Sequence, residues 1–435
     1  MTHPDVQSIP LKRGVDLLAI VALGLGTAVG VAVFSVEAPA TALAGPGMLI
    51  SVLIAAAPTF VIAVAYAFMG SAVPVAGASY EWPRRFVHPT LGFMVSWLRI
   101  AGNTAAMVVL AFVLVRYLSM AMPLPVKPAM FALFALILLP NLFGVAIAAR
   151  LQVVLMGLLI VMFAVFTAWG APSIALHRFT PLLPHGLAGV LGAVPLLIGL
   201  FFGIEAATEM GEEVKGGGLA IPIGIAVSIV SAVVLYLVVA FVALGVLGGP
   251  AVARSQAPIL DAAQRFMGPF AMPVILTAAT AAIVKSINAI YLTFSRSLLA
   301  MGRTGALPSA FARLHPRWGT PQVALIAVFL CCVAGLFLPP NLTFLFLAVN
   351  LPVLFKYFAV CLAAFRVVRH HPDLFQKARF RFGRTAMSAW TLGGAVCAVA
   401  VALLGFDADW RPYAGLGAWA AIGAVFHVLY RSRSS

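Results

Sequence analysis

Acidic side chains are scarce in this sequence. Twelve Asp and Glu stand among 435 residues, and Asp, Glu, Lys and Arg together make up 9%. Soluble domains carry about 25% charged residues, so an ordinary water-facing surface is excluded. Cysteine is nearly absent as well. Cys331, Cys332, Cys361 and Cys397 all fall inside apolar stretches, where they read as packing residues; they form no disulfide framework and no metal-ligand spacing. Histidine is placed no better for chemistry. His3, His88, His177, His185, His315, His370 and His371 lie in loops or termini, and His427 sits near the end of the last apolar run. There is no H-E-x-x-H and no P-loop. An intramembrane hydrolase needs a Ser/His, paired-Asp or metal cluster at membrane depth, and none is evident. No enzymatic activity, metal or cofactor is expected. Long polar segments are missing too: no loop exceeds about twenty residues, which leaves no room for a soluble domain.

What the chain does have is apolar. Hydrophobic residues make up 63% of it, and the mean hydropathy is +1.09. About twelve runs of roughly 18 or more apolar residues recur along the chain. They cover 15–37, 48–72, 90–118, 128–148, 151–170, 188–208, 221–248, 268–294, 321–338, 342–366, 386–405 and 412–430. The first run is too long for a signal-peptide core and is read as retained. The fold class expected is all-α integral membrane.

The formal net charge of +15 does not point to nucleic acid, because of where the charge lies. Arg and Lys collect in alternate loops: Lys12 and Arg13, Arg84 and Arg85, Arg150, Lys215, Arg303 to Arg317, Arg366 to Arg384, Arg431 and Arg433. The intervening loops hold Arg116, Lys127, Arg178, Arg254, Arg265 and Arg411. This alternation is the positive-inside pattern; it puts both termini in the cytoplasm of a multi-pass protein in a cell membrane. The lipid bilayer is thus the expected macroscopic partner, with no nucleic acid. The abundance of Ala and Gly, with Arg favoured over Lys, suggests a bacterial inner membrane. The sequence leaves the oligomeric state open.

Two of the apolar runs are interrupted. The first reads Gly24-Leu25-Gly26-Thr27-Ala28-Val29-Gly30, and the sixth reads Ile198-Gly199-Leu200-Phe201-Phe202-Gly203-Ile204-Glu205 before reaching Glu212-Glu213-Val214-Lys215. In hydrocarbon an unwound stretch is tolerated only where it lines a cavity. Matching breaks in the first span of each half are the best sequence pointer to a transporter site at the midplane. The breaks divide the chain into a short N-terminus (1–14), a first set of about five spans (15–170), a second set (188–367), a basic linker (368–385) and two added spans (386–430). An odd number of spans per set inverts the second relative to the first.

The run Thr27-Ala28-Val29-Gly30-Val31-Ala32-Val33-Phe34 is followed by Ala44-Gly45-Pro46, Pro74-Val75-Ala76-Gly77-Ala78-Ser79-Tyr80 and Gly92-Phe93. Asn141-Leu142-Phe143-Gly144-Val145, Phe202-Gly203-Ile204-Glu205 and Ile221-Pro222 come next. Then follow Ser295-Arg296, Met301-Gly302-Arg303-Thr304-Gly305-Ala306-Leu307-Pro308 and Gly319-Thr320-Pro321. In order and spacing these segments resemble the amino acid–polyamine–organocation (APC) superfamily, whose first-helix signature is usually I-G-x-G-I-F. The resemblance covers about residues 12–385. It implies a LeuT-like 5+5 inverted repeat with discontinuous helices 1 and 6, about twelve transmembrane helices, and secondary transport of amino acids or related amines. The chain departs from the signature at Ala32, where a second Gly is usual; the added methyl narrows the pocket or demands less of positive φ.

The residues themselves assign polarity to the breaks. Unwound backbone and a helix N-terminus favour an anion, so the amides of Gly30, Val31 and Ala32 are candidates for a substrate carboxylate. The glycines of this stretch also suit close helix packing. In the sixth span, alignment with the family puts freed carbonyls at Gly199, Leu200 and Phe202, which suit an ammonium group. Phe201 is a candidate aromatic gate or cation–π partner, with packing as the plainer role. Glu205 is an intramembrane carboxylate, hence a functional candidate; relatives with Asp or Glu there imply that it holds unwound backbone in place. Glu209 falls nearer the cytoplasmic exit, and Glu212 and Glu213 read as loop anchors.

Lys285 lies well inside the eighth run. A lysine at mid-bilayer costs about 2.5–3.5 kcal/mol on insertion scales. The resemblance puts span eight beside the first break, where sodium-coupled relatives hold their ion with hydroxyls and several proton-coupled relatives place a lysine from span five. Span five here has no lysine. Lys285 is therefore expected to replace sodium and to load and unload a proton; snorkelling to an interface is the alternative. Ser286 and Asn288 are candidate helpers, or simply interhelical links. Lys356 in span ten can meet Glu205, meet a substrate carboxylate or line a vestibule. Backbone donors facing backbone acceptors fit a zwitterionic amino acid. The apolar neighbours Phe201 and Phe202 lean toward a neutral one. Exchange of amino acids or amines, polyamine transport, and a substrate-binding receptor without transport remain alternatives. Within transport the closer rivals are an exchanger and a sodium symporter: insensitivity to sodium with dependence on pH favours proton coupling, and strict dependence on internal substrate favours exchange.

Overall fold

The computed structural model describes residues 11, 13–30, 32–119, 122–215, 217–337, 342–404 and 410–432. Among them the chain is helical, and the first half runs α1 (Leu17–Ala28), α2 (Ala32–Ser35), α3 (Glu37–Ala44), α4 (Met48–Ala72), α5 (Ala78–Phe86), α6 (Pro89–Leu118), α7 (Val126–Leu142) and α8 (Val145–Gly170). The second runs α9 (Gly186–Leu197), α10 (Ala220–Leu247), α11 (Gly249–Arg254), α12 (Pro258–Met267), α13 (Ala271–Arg303), α14 (Gln322–Gly335) and α15 (Leu342–His370). A short α16 (Pro372–Lys377) leads to α17 (Arg384–Leu404) and α18 (Arg411–Ser432).

Nine helical stretches among the described residues are long and apolar enough to cross a bilayer. Three shorter apolar helices, α1, α7 and α14, stand where the first, fourth and ninth apolar runs lie. The run read as 128–148 stops at Leu142 because Gly144 takes φ +135° and α8 starts after it. Such a φ is open to glycine and closed to most side chains.

Both interrupted runs are interrupted in space. Asp16 caps α1 by accepting from the Ala19 amide at 2.8 Å, and the helix stops at Val29, whose ψ of 75° leaves the helical region. Thr27 Oγ1 in the last turn stands 3.1 Å from the Leu23 carbonyl and 3.0 Å from the Gly24 carbonyl, a back-contact of the kind that loosens helices locally. The sixth run is helical only to Leu197, with Pro195 in its last turn. It then tightens into 3₁₀ turns over Ile198–Phe201 and Ile204–Glu209. Between these, Phe202 is extended and Gly203 takes φ +94°.

α1 sits at the centre, packed on α8, α10, α13 and the turn Ile204–Glu209. Its glycines make those contacts possible. A Cβ on Gly24 would lie 2.5 Å from Ser228 Oγ of α10, and one on Gly26 would lie 1.6 Å from Gln152 Nε2 of α8. Close packing thus uses Gly24 and Gly26 within the helix, and the break falls after them at Val29. On the outside, α15 packs between α6 and α17, and α18 lies on α6. There Trp97 and Trp419 stack 4.8 Å apart, and each indole N–H donates to the other's carbonyl, at 2.8 and 2.9 Å.

Candidate functional site

The two breaks lie side by side. The Tyr236 hydroxyl of α10 spans them, donating to the Ala28 carbonyl at 2.9 Å and the Leu200 carbonyl at 3.1 Å. Thr27 Oγ1 donates to the Gly203 carbonyl across the same gap. The backbone freed by each break is thus partly satisfied by the other break, as buried polar groups in hydrocarbon require.

Lys285 projects from α13 into the C-terminal end of α1. It is fully buried, and its Nζ donates to the carbonyls of Val29 at 2.5 Å, Leu25 at 3.2 Å and Gly26 at 3.5 Å. A cation here meets the negative end of a helix dipole; the Val29 carbonyl lies beyond the last helical turn, while the Leu25 carbonyl also accepts from the Val29 amide at 2.8 Å. Among the described residues no carboxylate forms an ion pair with it. The neighbouring Ser286 hydroxyl donates to the Gly26 carbonyl at 2.5 Å. Asn288 turns elsewhere: it donates to Gln152 Oε1 at 2.9 Å and the Ala148 carbonyl at 3.1 Å, and accepts from Asn141 at 2.9 Å. It links α7, α8 and α13, whereas Ser286 shares an acceptor with Lys285.

A second charged cluster braces the sixth break. Glu205 and Lys356 form a buried ion pair. The Tyr357 hydroxyl donates to the other carboxylate oxygen of Glu205 at 2.8 Å and accepts from the Gly203 amide at 3.0 Å. Lys356 Nζ also stands 4.8 Å from the Tyr357 ring centre and 5.8 Å from that of Tyr66, within cation–π range. Of the three placements open to Lys356 in the sequence, contact with Glu205 is the one present here.

The remaining candidates divide. Phe201 is buried edge-on to Tyr236, while Phe202 is half-buried and edge-on to Tyr357. Gly199 accepts from the Phe202 amide at 3.4 Å, and nothing lies within 4 Å of where its Cβ would be. The Leu200 carbonyl is the one that Tyr236 holds. The Gly30 amide donates to the Ala28 carbonyl at 2.9 Å, and a Cβ on Gly30 would approach Ser286 Oγ at 3.1 Å. Val31 lies outside the described residues, and Ala32 begins α2. Below the sixth break, Glu213 holds Arg296 through two buried bonds of 2.8 and 3.0 Å. Glu212 pairs with Arg303 at 3.0 Å, and the Ser79 amide donates to Glu209 at 3.4 Å.

Sequence reasoning passed over Thr27, Tyr236 and Tyr357 as working groups. The hydroxyl of Tyr236 shares its run with those of Ser228 and Ser231, so nothing in the sequence singles it out.

A helical membrane bundle with two broken helices joined at a cluster of carbonyls and buried charges defines a transporter. Residues 15–421 match the family described as amino acid permease, and the chain belongs to that family, within the APC superfamily. An uncharacterized transporter of Mycobacterium tuberculosis is 29% identical over 74% of this chain and 74% of its own length. A branched-chain amino acid permease of Bacillus subtilis is 25% identical over 72% of both chains. A methylthioribose transporter of the same organism is 24% identical over 99% of this chain and 95% of its own.

Proposed function

We propose that this protein is a secondary active transporter that imports a zwitterionic, neutral amino acid by alternating access, with Lys285 as the proton-carrying group in place of sodium. The observation that carries this reading is the Lys285 ammonium donating into the carbonyls of Leu25, Gly26 and Val29 with no carboxylate among the described residues paired to it. Those oxygens are the ligand type a hard monovalent cation takes. A protonated lysine fills that place and holds the end of α1; a neutral one releases its grip on these acceptors. Proton loading and the geometry of the first break are then one equilibrium.

The architecture we propose has about twelve spans, two inverted sets at 15–170 and 188–367, a basic linker at 368–385, added spans at 386–430 and both termini in the cytoplasm. Substrate binds between the breaks, with backbone of Gly30 to Ala32 toward the carboxylate and carbonyls of Gly199 to Phe202 toward the amine. Phe202, the more accessible ring of its pair, contacts the side chain. Glu205 and Lys356 brace the sixth break from behind.

The test is uptake of a panel of common amino acids and polyamines into proteoliposomes under an imposed proton gradient, with and without sodium. Accumulation driven by the proton gradient, indifferent to sodium and lost in Lys285→Ala and Lys285→Met, is the expected result. Full retention in both variants would overturn the coupling role. The relative named as a methylthioribose transporter matches this chain almost end to end and favours one second reading: an uncharged polar solute. Methylthioribose competes in the same panel.

A further inference from the structure

The cluster of breaks is not the only place where charge converges. A cavity of about 150 Å³ opens at the end of the bundle where the basic loops gather, lined by Arg13, Ser71, Val214, Gly218, Lys377 and Arg379 among others. The water equivalent is about 30 Å³ each, so the space holds an anion the size of phosphate together with some of its hydration.

Three features set it apart from a merely basic surface. First, its cations come from two segments far apart in the chain: Arg13 in the leader of α1, and Lys377 and Arg379 at and just beyond the end of α16. Second, none of Arg13, Lys377 and Arg379 forms an ion pair among the described residues. The nearby acids are engaged elsewhere, with Glu213 on Arg296 and Glu212 on Arg303; Asp373, one turn before Lys377 on α16, makes no ion pair with it. Third, the walls are held in place. The Gly14 and Val15 amides donate to the Glu213 carbonyl at 3.0 Å each, and the Lys215 amide donates to the Val15 carbonyl at 2.7 Å. Opposite them, the Phe380 amide donates to Ser71 Oγ at 3.2 Å and Phe375 packs on Phe68. Gly218 keeps the interior open, because a Cβ there would lie 3.1 Å from the Ser71 carbonyl and 3.4 Å from the Arg379 side chain.

The guanidinium groups of Arg13 and Arg379 and the ammonium of Lys377, exposed along one partly open cavity and outside any ion pair among the described residues, are a donor set for a phosphate group. We propose that this cavity binds phosphate, as the free ion or as the headgroup of an anionic phospholipid in the adjoining leaflet. The bound anion ties the leader of α1 and the segment beyond the sixth break to the end of α4 and the linker. It therefore steadies the arrangement in which this end of the two broken helices is closed. The site stands on the cavity alone and does not depend on the substrate or the coupling proposed above.

The test uses the full-length protein. Thermal unfolding in detergent is followed against inorganic phosphate, with chloride at matched ionic strength, and again in nanodiscs of phosphatidylcholine with and without phosphatidylglycerol. Arg13→Gln and Arg379→Gln are compared with Arg313→Gln, which removes the same charge from an exposed site outside the cavity. The expected result is stabilisation of wild type and Arg313→Gln, with apparent affinity at least about tenfold weaker in the two cavity variants, the loss of one charge-assisted contact. A Gly218→Val variant, which keeps every charge while filling the space and crowding the stem of Arg379, must lose the response too. A response to phosphate in detergent assigns the free ion, and a response to phosphatidylglycerol alone assigns the headgroup. No response from wild type to either, or equal weakening in Arg313→Gln, overturns the proposal. Because each variant is read against its own anion-free unfolding, a folding defect is not mistaken for lost binding.

Discussion

The Nζ of Lys285 lies 2.5 Å from the carbonyl oxygen of Val29, the residue at which the first membrane helix stops. α13 belongs to the second half of the chain and α1 to the first, so one side chain joins the two halves at the break. A buried ammonium is tolerated here because the helix end offers carbonyls in place of a carboxylate.

Removing that ammonium has a signature beyond lost transport. Lys285→Ala leaves the Leu25 and Val29 carbonyls and the Ser286 hydroxyl facing an empty space, oxygens that suit sodium. We expect proton-driven accumulation to fall by at least about tenfold, which is about 1.4 kcal/mol of coupling, and sodium to restore part of substrate binding. Scintillation proximity binding across a sodium titration, in wild type and variant, checks this. A variant whose binding is unchanged by sodium, alongside a sodium-insensitive wild type, contradicts it.

The Glu205–Lys356 pair makes a different prediction. Stripping one partner from a buried pair leaves an uncompensated charge and costs about 3–5 kcal/mol, whereas replacing both is far milder. Lys356→Met and Glu205→Gln should each lower the unfolding temperature strongly, and the double variant should recover much of it. Tyr357 completes the bracket by linking Glu205 to the Gly203 amide, so Tyr357→Phe should be intermediate. Thermal unfolding of the four proteins in one detergent decides the matter; additive losses would show that the pair does not act as a unit.

How far the sequence speaks for this site depends on whether a feature is local. The interruption of the sixth run is written in Gly203, whose φ of +94° belongs to the residue itself, whereas Gly24 and Gly26 lie inside α1 and mark where it packs closely on α10 and α8. The depth of Lys285 is likewise readable from its apolar flanks. Partners are not. Lys356 and Glu205 are far apart in the chain, and nothing beside Lys356 indicates which acceptor it finds. Asn288 has the spacing to assist Lys285 but faces α7 and α8, because Asn141 and Gln152 supply the partners its amide needs. The Gly30 amide has a local bond to Ala28 that depends on the turn geometry. Tyr236 was invisible for a related reason: its value lies in reaching both breaks at once.

Tyr236→Phe isolates that bridge. The ring and its edge contact with Phe201 remain, while the carbonyls of Ala28 and Leu200 lose their shared donor. The Ala28 carbonyl keeps the Gly30 amide, so the Leu200 carbonyl is the acceptor whose loss counts, at a cost of about 1–3 kcal/mol for a buried unsatisfied group. A lower unfolding temperature and a fall in uptake rate, with the ring packing intact, are expected. Hydrogen exchange over residues 25–30 and 198–203 should quicken in both segments together. Quickening in one alone would mean that the hydroxyl serves a single break.

Two glycines of the sixth segment give the sharpest contrast. Gly203 takes φ +94°, and a Cβ there would lie 2.6 Å from Thr27. Gly203→Ala therefore combines a left-handed penalty of about 1–2 kcal/mol with overpacking of about 1–3 kcal/mol, and the two breaks are pushed apart. Gly199→Ala meets nothing within 4 Å, so the added methyl is expected to leave the unfolding temperature unchanged. If substrate passes over Gly199, that methyl raises KM while the fold is untouched. Gly203→Ala should instead lose both stability and transport. Stability and uptake kinetics measured on both variants test the assignment: an unchanged KM in Gly199→Ala would move the substrate away from the sixth break, and a stable Gly203→Ala would remove the need for its left-handed turn.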